Sequence, residues 1–266
     1  MIRDVFGDVA APDPDAEFRL FTRIRLPSGV LKTTQAGRLD DLNEHALRVL
    51  PDDRPLELMD VATSTGITTV EWSEQLSAAD VAHHIVAGDS HTEAVWVSLP
   101  LVGEVLVDRD GNVLLAEVLG RAVDPSGATR RSALVLPCLK AAARRAGLLR
   151  LRARPVELVS SRVRECPAIE LVEDDIFVAR PELRGRFHAV RAANILNVGY
   201  FDDAQLRTAV ATLRERLRPG GLLIVCRTHD DGSNHGSIFR ADRDGWRVVD
   251  RVGSGSEIER LIAMSS

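Results

Sequence analysis

The 266-residue chain is poor in the residues that staple small folds. It has three cysteines, Cys138, Cys166 and Cys226, far apart and in no CxxC pair. Their odd number and wide spacing exclude a disulfide framework, a zinc knuckle and a thioredoxin-like motif. No metal site is expected. No apolar run approaches the roughly 18 residues that span a bilayer, and residues 1–19 carry charges and prolines where a secretory leader needs an apolar stretch. The expectation is a reduced, soluble, cytoplasmic protein away from membranes. Aromatic residues are scarce at 4%, with a single tyrosine, Tyr200. Lysine is nearly absent: Lys32 and Lys140 are the only two among 34 basic residues, a bias that hints at a GC-rich bacterial genome. A chain of this length buries roughly 70–75% of its unfolded surface, so a core can stabilise it without staples.

The formal charge is −5, which disfavours a global polyanion binder. The segment 121–165 departs from this, with eleven Lys/Arg against three Asp/Glu. Arg130, Arg131, Arg144, Arg145, Arg150, Arg152, Arg154, Arg162 and Arg164 dominate it. The segment reads as a solvated helix and its following loop, or as a docking face for an acidic partner. No aromatic residue interleaves with these arginines, so nucleic-acid binding is not expected.

Periodicity organises the rest. Leu39, Leu42, Ala46 and Leu50 mark one helical face, stopped by Pro51. LELMDV (56–61) is a strand feeding the loop ATSTG and a helix from Ile67, and HIVAG (84–88) is a second strand ending at Asp89. Segments 96–101, 104–107 and 113–118 are β-like; the last two flank the turn sequence Asp108–Asn112, so 95–122 reads as an inserted β-hairpin arm. Residues 132–146 are helical in composition, with Pro137 expected to kink or split the helix. Strands are expected at 156–159, at 169–172 and from His188. Asp202 and Asp203 are natural N-caps for a helix whose stripe is Leu206, Val210, Leu213 and Leu217. Pro219-Gly220-Gly221 then precedes the strand LLIVC and a terminal hairpin. Residues 1–50 read as an N-terminal cap and 51–266 as the main α/β domain.

The block FHAVRAANILNVGYFDDAQLRTAVATLRERLRPGGLLIV (187–225), together with the order of elements over 39–253, resembles the class I S-adenosylmethionine-dependent methyltransferase family. That resemblance implies a Rossmann-like, seven-stranded, mostly parallel sheet with helices on both faces and an antiparallel last strand. It also implies S-adenosyl-L-methionine as cofactor. Within the family, Asn194 through Tyr200-Phe201-Asp202 resembles the CheR-type protein methyltransferases.

In an open α/β sheet a ligand lies beyond the carboxyl ends of the strands. Here those ends carry Asp60, Ala62, Thr63, Ser64 and Gly66 after the first strand and Asp89-Ser90 after the second. Asp174, Asp175 and Ile176 follow the third strand, and Arg191 to Asn194 the fourth. By resemblance, Asp89 takes the ribose hydroxyls, Asp175 the adenine amino group with Ile176 over the ring, and Asp174 is the one-residue-off alternative. Asp60 holds the loop or, through water, the cofactor's amino group; Asp60 and Asp89 could also be plain helix N-caps. The family usually has glycine where Ala62 and Ser64 stand, so the cofactor passes only if both sit at negative φ.

Methyl transfer needs alignment of nucleophile and methyl, plus a general base for an acceptor of high pKa. His229, just after the fifth strand, is the candidate base, or else an exposed loop histidine. Asn194, which is also a cofactor-binding candidate, Asn197 and Tyr200 are candidates to line the substrate mouth. The acceptor is a small molecule or a protein side chain, and the β arm is a possible homodimer contact. Two alternatives remain: a non-catalytic binding or assembly protein on the same fold, and a nicotinamide-dependent oxidoreductase, disfavoured because the first loop lacks GxGxxG.

Overall fold

The computed structural model describes the chain except residues 8–12, 28, 30, 33, 100–101, 124, 127–129, 149–152 and 265–266, and except the side chains of 130–134, 143 and 146–148. Arg150, Arg152 and the side chains of Arg130 and Arg131, part of the basic run, therefore lie outside the described residues. The elements begin with helices α1 (Ile2–Phe6), α2 (Pro14–Phe21) and α3 (Asp40–Val49), strand β1 (Leu56–Val61), helix α4 (Ile67–Ala78) and strand β2 (His83–Asp89). Strands β3 (Glu93–Leu99), β4 (Gly103–Val107), β5 (Val113–Val118) and β6 (Arg121–Val123) follow, then helix α5 (Arg130–Leu148), β7 (Ala153–Glu157), α6 (Ser161–Glu165) and β8 (Ile169–Glu173). The remainder is β9 (Phe187–Ala193), α7 (Asp203–Arg216), β10 (Leu217–Thr228), β11 (Asn234–Asp242), β12 (Gly245–Val252) and α8 (Glu259–Ala263). None of the described helices is long and apolar enough to cross a membrane.

Two compact units result, one of residues 1–34 and 91–161, the other of 35–90 and 162–266. The boundary read at residue 50 falls inside the second unit, just after α3. In the first unit β3 to β7 form a five-stranded antiparallel sheet in the order β6-β5-β4-β3-β7. The β4–β5 hairpin is one part of that sheet. Its turn is closed by Asp108, whose N–H donates to Asn112 O at 3.0 Å and whose carboxylate accepts from Asn112 N–H at 2.7 Å. One face of the sheet packs Trp96, Leu106 and Leu114 with Ile2, Leu20 and Phe21 of α1 and α2; the other packs Val97, Val105 and Ala116 with Leu136 and Leu139 of α5. Helix α5 runs through Pro137 unbroken. Leu136 and Leu139 are buried on either side of the proline, and that packing offsets its lost donor.

The second unit is built on a seven-stranded mixed sheet in the order β12-β11-β10-β9-β1-β2-β8. Strands β8, β2, β1, β9 and β10 are parallel, so their carboxyl ends share one edge. Alternation along the strands sends side chains to two covered faces. Leu56, Leu58, Ile85 and Ala189 meet Leu42 and Ala46 of α3 and Trp72 and Leu76 of α4. Met59, Val61, Val190 and Ala192 meet Leu206, Val210 and Leu213 of α7 and Ile262 of α8. Each fully buried Leu or Val contributes about 1.5–3 kcal/mol. Helix α7 starts at a capping box, with Asp202 accepting from Gln205 N–H and the Gln205 side chain accepting from Asp202 N–H.

The last strand corrects the expected direction. β11 pairs antiparallel with β10, and β12 antiparallel with β11, so β12 runs the same way as β10 and the reversed strand is the penultimate one. Only residues 229–233 and 243–244 join these strands. Such short links make hairpins, whereas a parallel crossover needs a dozen residues or more.

At the opposite, amino-terminal edge His188 is buried at the start of β9. Its Nδ1 accepts from Glu57 N–H at 2.8 Å, and Arg218 Nη1 lies 2.7 Å from Nε2. Burial, then the Arg218 charge, lowers its pKa. A folded-state value below the unfolded one of about 6.5 means the neutral ring contributes stability that is full above about pH 6.5 and is lost as pH falls through the folded value. Urea midpoints of the wild type are therefore expected to drop between pH 7 and pH 5, and His188→Gln is expected to flatten that drop. Equal pH slopes in the two proteins would contradict the assignment.

Candidate functional site

Among the parallel strands, β1 leads to β2 and β8 on one side while β9 and β10 lie on the other, so the strand order reverses between β1 and β9. Ligands of open α/β sheets bind at that reversal, beyond the carboxyl ends. The loop 62–66 leaves β1 there.

The loop's backbone corrects the sequence reading. Ala62 and Ser64 sit at φ 55° and 57°, in the left-handed region rather than at negative φ, and Gly66 follows at 76°. Left-handed backbone at a non-glycine residue costs roughly 1–2 kcal/mol. The loop thus keeps the shape glycines would favour, held by other contacts. Thr63 N–H donates to Gly88 O at 3.1 Å, Gly66 N–H to Thr63 O at 2.9 Å, and Ser64 N–H to Asp89 Oδ2 at 2.7 Å. Gly66 is also required sterically, because a Cβ there would lie 2.4 Å from Val163 Cγ2. Thr63 and Thr65 are buried, and their hydroxyls have no hydrogen-bond partner.

Two of the acids at the strand ends form buried ion pairs. Asp60 and Arg191 are register partners on β1 and β9, both on the face toward α3 and α4. Arg191 is fully buried and donates from Nε to Asp60 Oδ1 (2.9 Å) and from Nη2 to Oδ2 (2.6 Å). Its other donors reach Asn43 Oδ1 at 2.7 Å and Thr68 O at 3.0 Å, and it lies over the Trp72 ring at 4.4 Å. Thr69 Oγ1 donates to Asp60 Oδ2 at 2.6 Å. Asp60 therefore fastens β1, β9 and α4 together. Asp174 is likewise committed, taking Arg216 Nη1 at 2.6 Å and Nη2 at 3.1 Å, both side chains buried. Arg216 also donates to the carbonyls of Asp175 and Val178, pinning the loop after β8.

Asp89, at the tip of β2, is buried. A carboxylate accepts up to about four hydrogen bonds, so holding Ser64 is compatible with accepting from a ligand. Ser90 next to it is exposed. Asp175 is exposed, with Oδ1 accepting from Phe177 N–H at 2.9 Å, and Ile176 is buried.

After β9, Asn194 adopts φ 62°, a conformation asparagine tolerates. Its side chain bridges to β10, with Oδ1 accepting from Thr228 N–H at 2.7 Å and Nδ2 donating to Thr228 Oγ1 at 3.2 Å. Asn197 is buried and shapes its turn by accepting from Gly199 N–H at 3.0 Å. Tyr200 is half exposed. His229 is exposed in the β10–β11 turn, its ring edge-on to His235 at 4.7 Å. Cys226 is buried, and burial followed by the Asp41 charge pushes its thiol up to about 12, so it is no nucleophile.

The strap 37–41, of which the sequence reading used only Leu39 as the start of a helical face, ties α4 to β11. Gly37 N–H donates to Glu71 Oε1 of α4 at 2.8 Å, while Asn234 Nδ2 of β11 donates to Arg38 O and Asp41 Oδ1, each at 2.6 Å. Arg38 is half-buried and its Nε has no hydrogen-bond partner. Burial, then the Arg191 charge, lowers its pKa, with Asp60 opposing. Asn43 Nδ2 on α3 is a further buried donor without a partner. No pattern in the sequence marks Arg38. Arg191 was detectable as a charge inside the apolar run FHAVRAA. Among the described residues no group of three or more His, Cys, Asp or Glu is arranged to hold a metal.

No protein-family model matches the chain, and no curated protein does. Solved structures do resemble it. The PH0226 protein from Pyrococcus horikoshii OT3 is 12% identical, over 93% of this chain and 87% of that one, with a TM-score of 0.41. The N-methyltransferase NodS from Bradyrhizobium japonicum WM9, in complex with S-adenosyl-L-homocysteine, is 13% identical over 81% and 74%, at 0.38. The CMeT domain of the citrinin polyketide synthase is 16% identical over 85% of this chain, at 0.40. The chain spans about half the length of several of these structures, 41% of the citrinin synthase domain and 55% of a putative S-adenosyl-L-methionine-dependent methyltransferase from Methanococcus maripaludis. At such identities and scores these likenesses carry no argument about what this chain does. The solved structures similar to it thus include S-adenosyl-L-methionine-dependent methyltransferases.

Proposed function

We propose that this chain binds S-adenosyl-L-methionine and transfers its methyl group to an acceptor. The observation that carries the reading is the buried Asp89 carboxylate at the tip of β2, hydrogen-bonded to a left-handed loop at the strand-order reversal. Partnerless buried donors on Thr63, Thr65, Asn43 and Arg38 accompany it. Buried polar atoms without partners are few in folded proteins, and their gathering on the elements beside one loop suits a polar ligand. The donor set fits a nucleoside joined to an amino acid. Asp89 accepts from ribose hydroxyls, Asp175 from the adenine amino group with Ile176 against the ring, and Arg38 takes the carboxylate. Asp60 and Asp174 are spent on Arg191 and Arg216 and act by fixing the strand ends.

When bound, the cofactor supplies an electrophilic methyl on sulfur. The chain's part is to align the acceptor and exclude water. His229, exposed in the β10–β11 turn and packed T-shaped against His235, is the candidate base for an acceptor that needs one. A non-catalytic binding protein is the second reading, favoured by the non-glycine residues at the left-handed positions 62 and 64.

Calorimetry with S-adenosylhomocysteine tests the proposal. Asp89→Ala, which removes two charge-assisted hydrogen bonds, is expected to weaken binding about a hundredfold or more. NADH is expected not to bind. Binding of S-adenosylhomocysteine that ignores Asp89→Ala would contradict the site. Binding without methyl transfer to any acceptor offered would favour the second reading.

A further inference from the structure

We infer that Cys166, Ser73 and His83 form a relayed nucleophile that exchanges with small disulfides, making Cys166 a site of mixed-disulfide modification. The inference does not depend on the methyl-transfer reading. Ser73 stands on α4, His83 opens β2, and Cys166 directly follows α6, three residues before β8. His83 and Cys166 thus lie at the amino-terminal edge of the second unit's sheet, opposite the strand tips that carry the loop 62–66 and Asp89.

The hydrogen bonds fix the direction in which a proton can move. His83 Nδ1 lies 2.8 Å from Val81 O. A carbonyl oxygen only accepts, so the neutral ring carries its proton on Nδ1 and leaves Nε2 as an acceptor. Ser73 Oγ, 2.8 Å from Nε2, is therefore the donor in that bond. With its one proton committed to the imidazole, the hydroxyl accepts from the Cys166 thiol, whose Sγ is 3.5 Å from Oγ. The order is thiol to hydroxyl to imidazole. This is a nucleophile joined to a base that a third group orients, the arrangement that activates a weak nucleophile. The backbone holds the sulfur in position. Cys166 N–H donates to Val163 O at 3.3 Å, and Cys166 O accepts from Ile169 N–H at 3.1 Å. Ser73 is buried, while His83 and Cys166 are partly exposed, so the relay is shielded and its reacting end is open to a small molecule.

Disulfide exchange needs a sulfur nucleophile, an acceptor for its proton and a proton for the leaving sulfur, and this relay supplies all three. Cys166 Sγ attacks one sulfur of the incoming disulfide as its proton passes to Ser73 Oγ and the Ser73 proton passes to His83 Nε2. The new S–S bond forms and the old one breaks. The leaving thiolate takes up the proton that His83 gained, which returns the ring to its neutral form. Cys166 is oxidised, and the other sulfur of the incoming disulfide is reduced to a thiol.

The test incubates the full chain with oxidised glutathione near neutral pH and follows the mixed disulfide at each cysteine by peptide mass spectrometry. Exposure alone would rank Cys138 first and Cys226, buried with its thiol pushed up to about 12, last. The inference expects Cys166 to react about tenfold faster than Cys138 or more. Ser73→Ala and His83→Gln are each expected to slow Cys166 by about tenfold or more and to leave Cys138 unchanged. Unfolding cannot imitate that result, because it would uncover Cys166 and Cys226 and speed both. Cys138 reacting faster than Cys166 would overturn the inference. So would a Cys166 rate that responds to neither variant, or to one of them alone, since the relay needs both groups.

Discussion

Arg191→Met is expected to destabilise the protein by about 3–5 kcal/mol, because it strands the Asp60 carboxylate in a dry interior without its counter-ion. For a chain of this length that corresponds to a melting temperature lower by roughly 6–15 °C. Both residues are buried, and the guanidinium spends its donors on Asp60, Asn43 and Thr68 at once, so three elements lose their common anchor. Arg191→Lys is expected to recover little, since an ammonium cannot reproduce the two parallel bonds to Asp60. Removing both charges separates the pair from its surroundings. Asp60→Leu combined with Arg191→Met is expected to cost less than the sum of the singles by about 1–3 kcal/mol. Urea unfolding of the four proteins checks this. Additive losses would mean that the pair contributes no coupling.

The second large effect is expected at Arg216. Arg216→Met leaves the Asp174 carboxylate buried with, among the described residues, Arg180 as its remaining ion-pair partner, whose Nη1 is 4.0 Å from Oδ1. That residual charge places the expected loss near the lower end of the range for broken buried pairs, about 3 kcal/mol. Arg216 differs from Arg191 in also holding two carbonyls of the loop after β8. Its loss is therefore expected to weaken ligands that use Asp175 or Ile176 even at temperatures where the protein stays folded. Calorimetry at 10 °C, well below the melting transition, separates that local effect from global unfolding. Unchanged affinity there would show that the loop holds its shape without the guanidinium.

Much of this architecture was readable where local pattern and burial agree. β1 and β9 are short apolar runs, α3 and α7 carry single stripes, and α7 opens on an acidic cap, so each element follows from its own residues. Asp89 was readable as the residue closing a buried strand. What escaped is set by distant partners. Asp60 and Asp174 look like any strand-end acid until β9 and α7 deliver Arg191 and Arg216 from 131 and 42 residues away. The left-handed Ala62 and Ser64 escaped because propensity alone assigns such backbone to glycine, while here hydrogen bonds to Gly88 and Asp89 offset the strain. Arg38 sits in a strap with no periodicity, held by Glu71 and Asn234, and nothing in its own neighbourhood of sequence marks it.

A crystal structure of the chain soaked with S-adenosylhomocysteine tests the central claim most directly. The account predicts both ribose hydroxyls within hydrogen-bond distance of the Asp89 carboxylate, with the adenine against Ile176. A nucleoside bound elsewhere, or an Asp89 that holds only the Ser64 amide while the ligand sits beyond its reach, would contradict it.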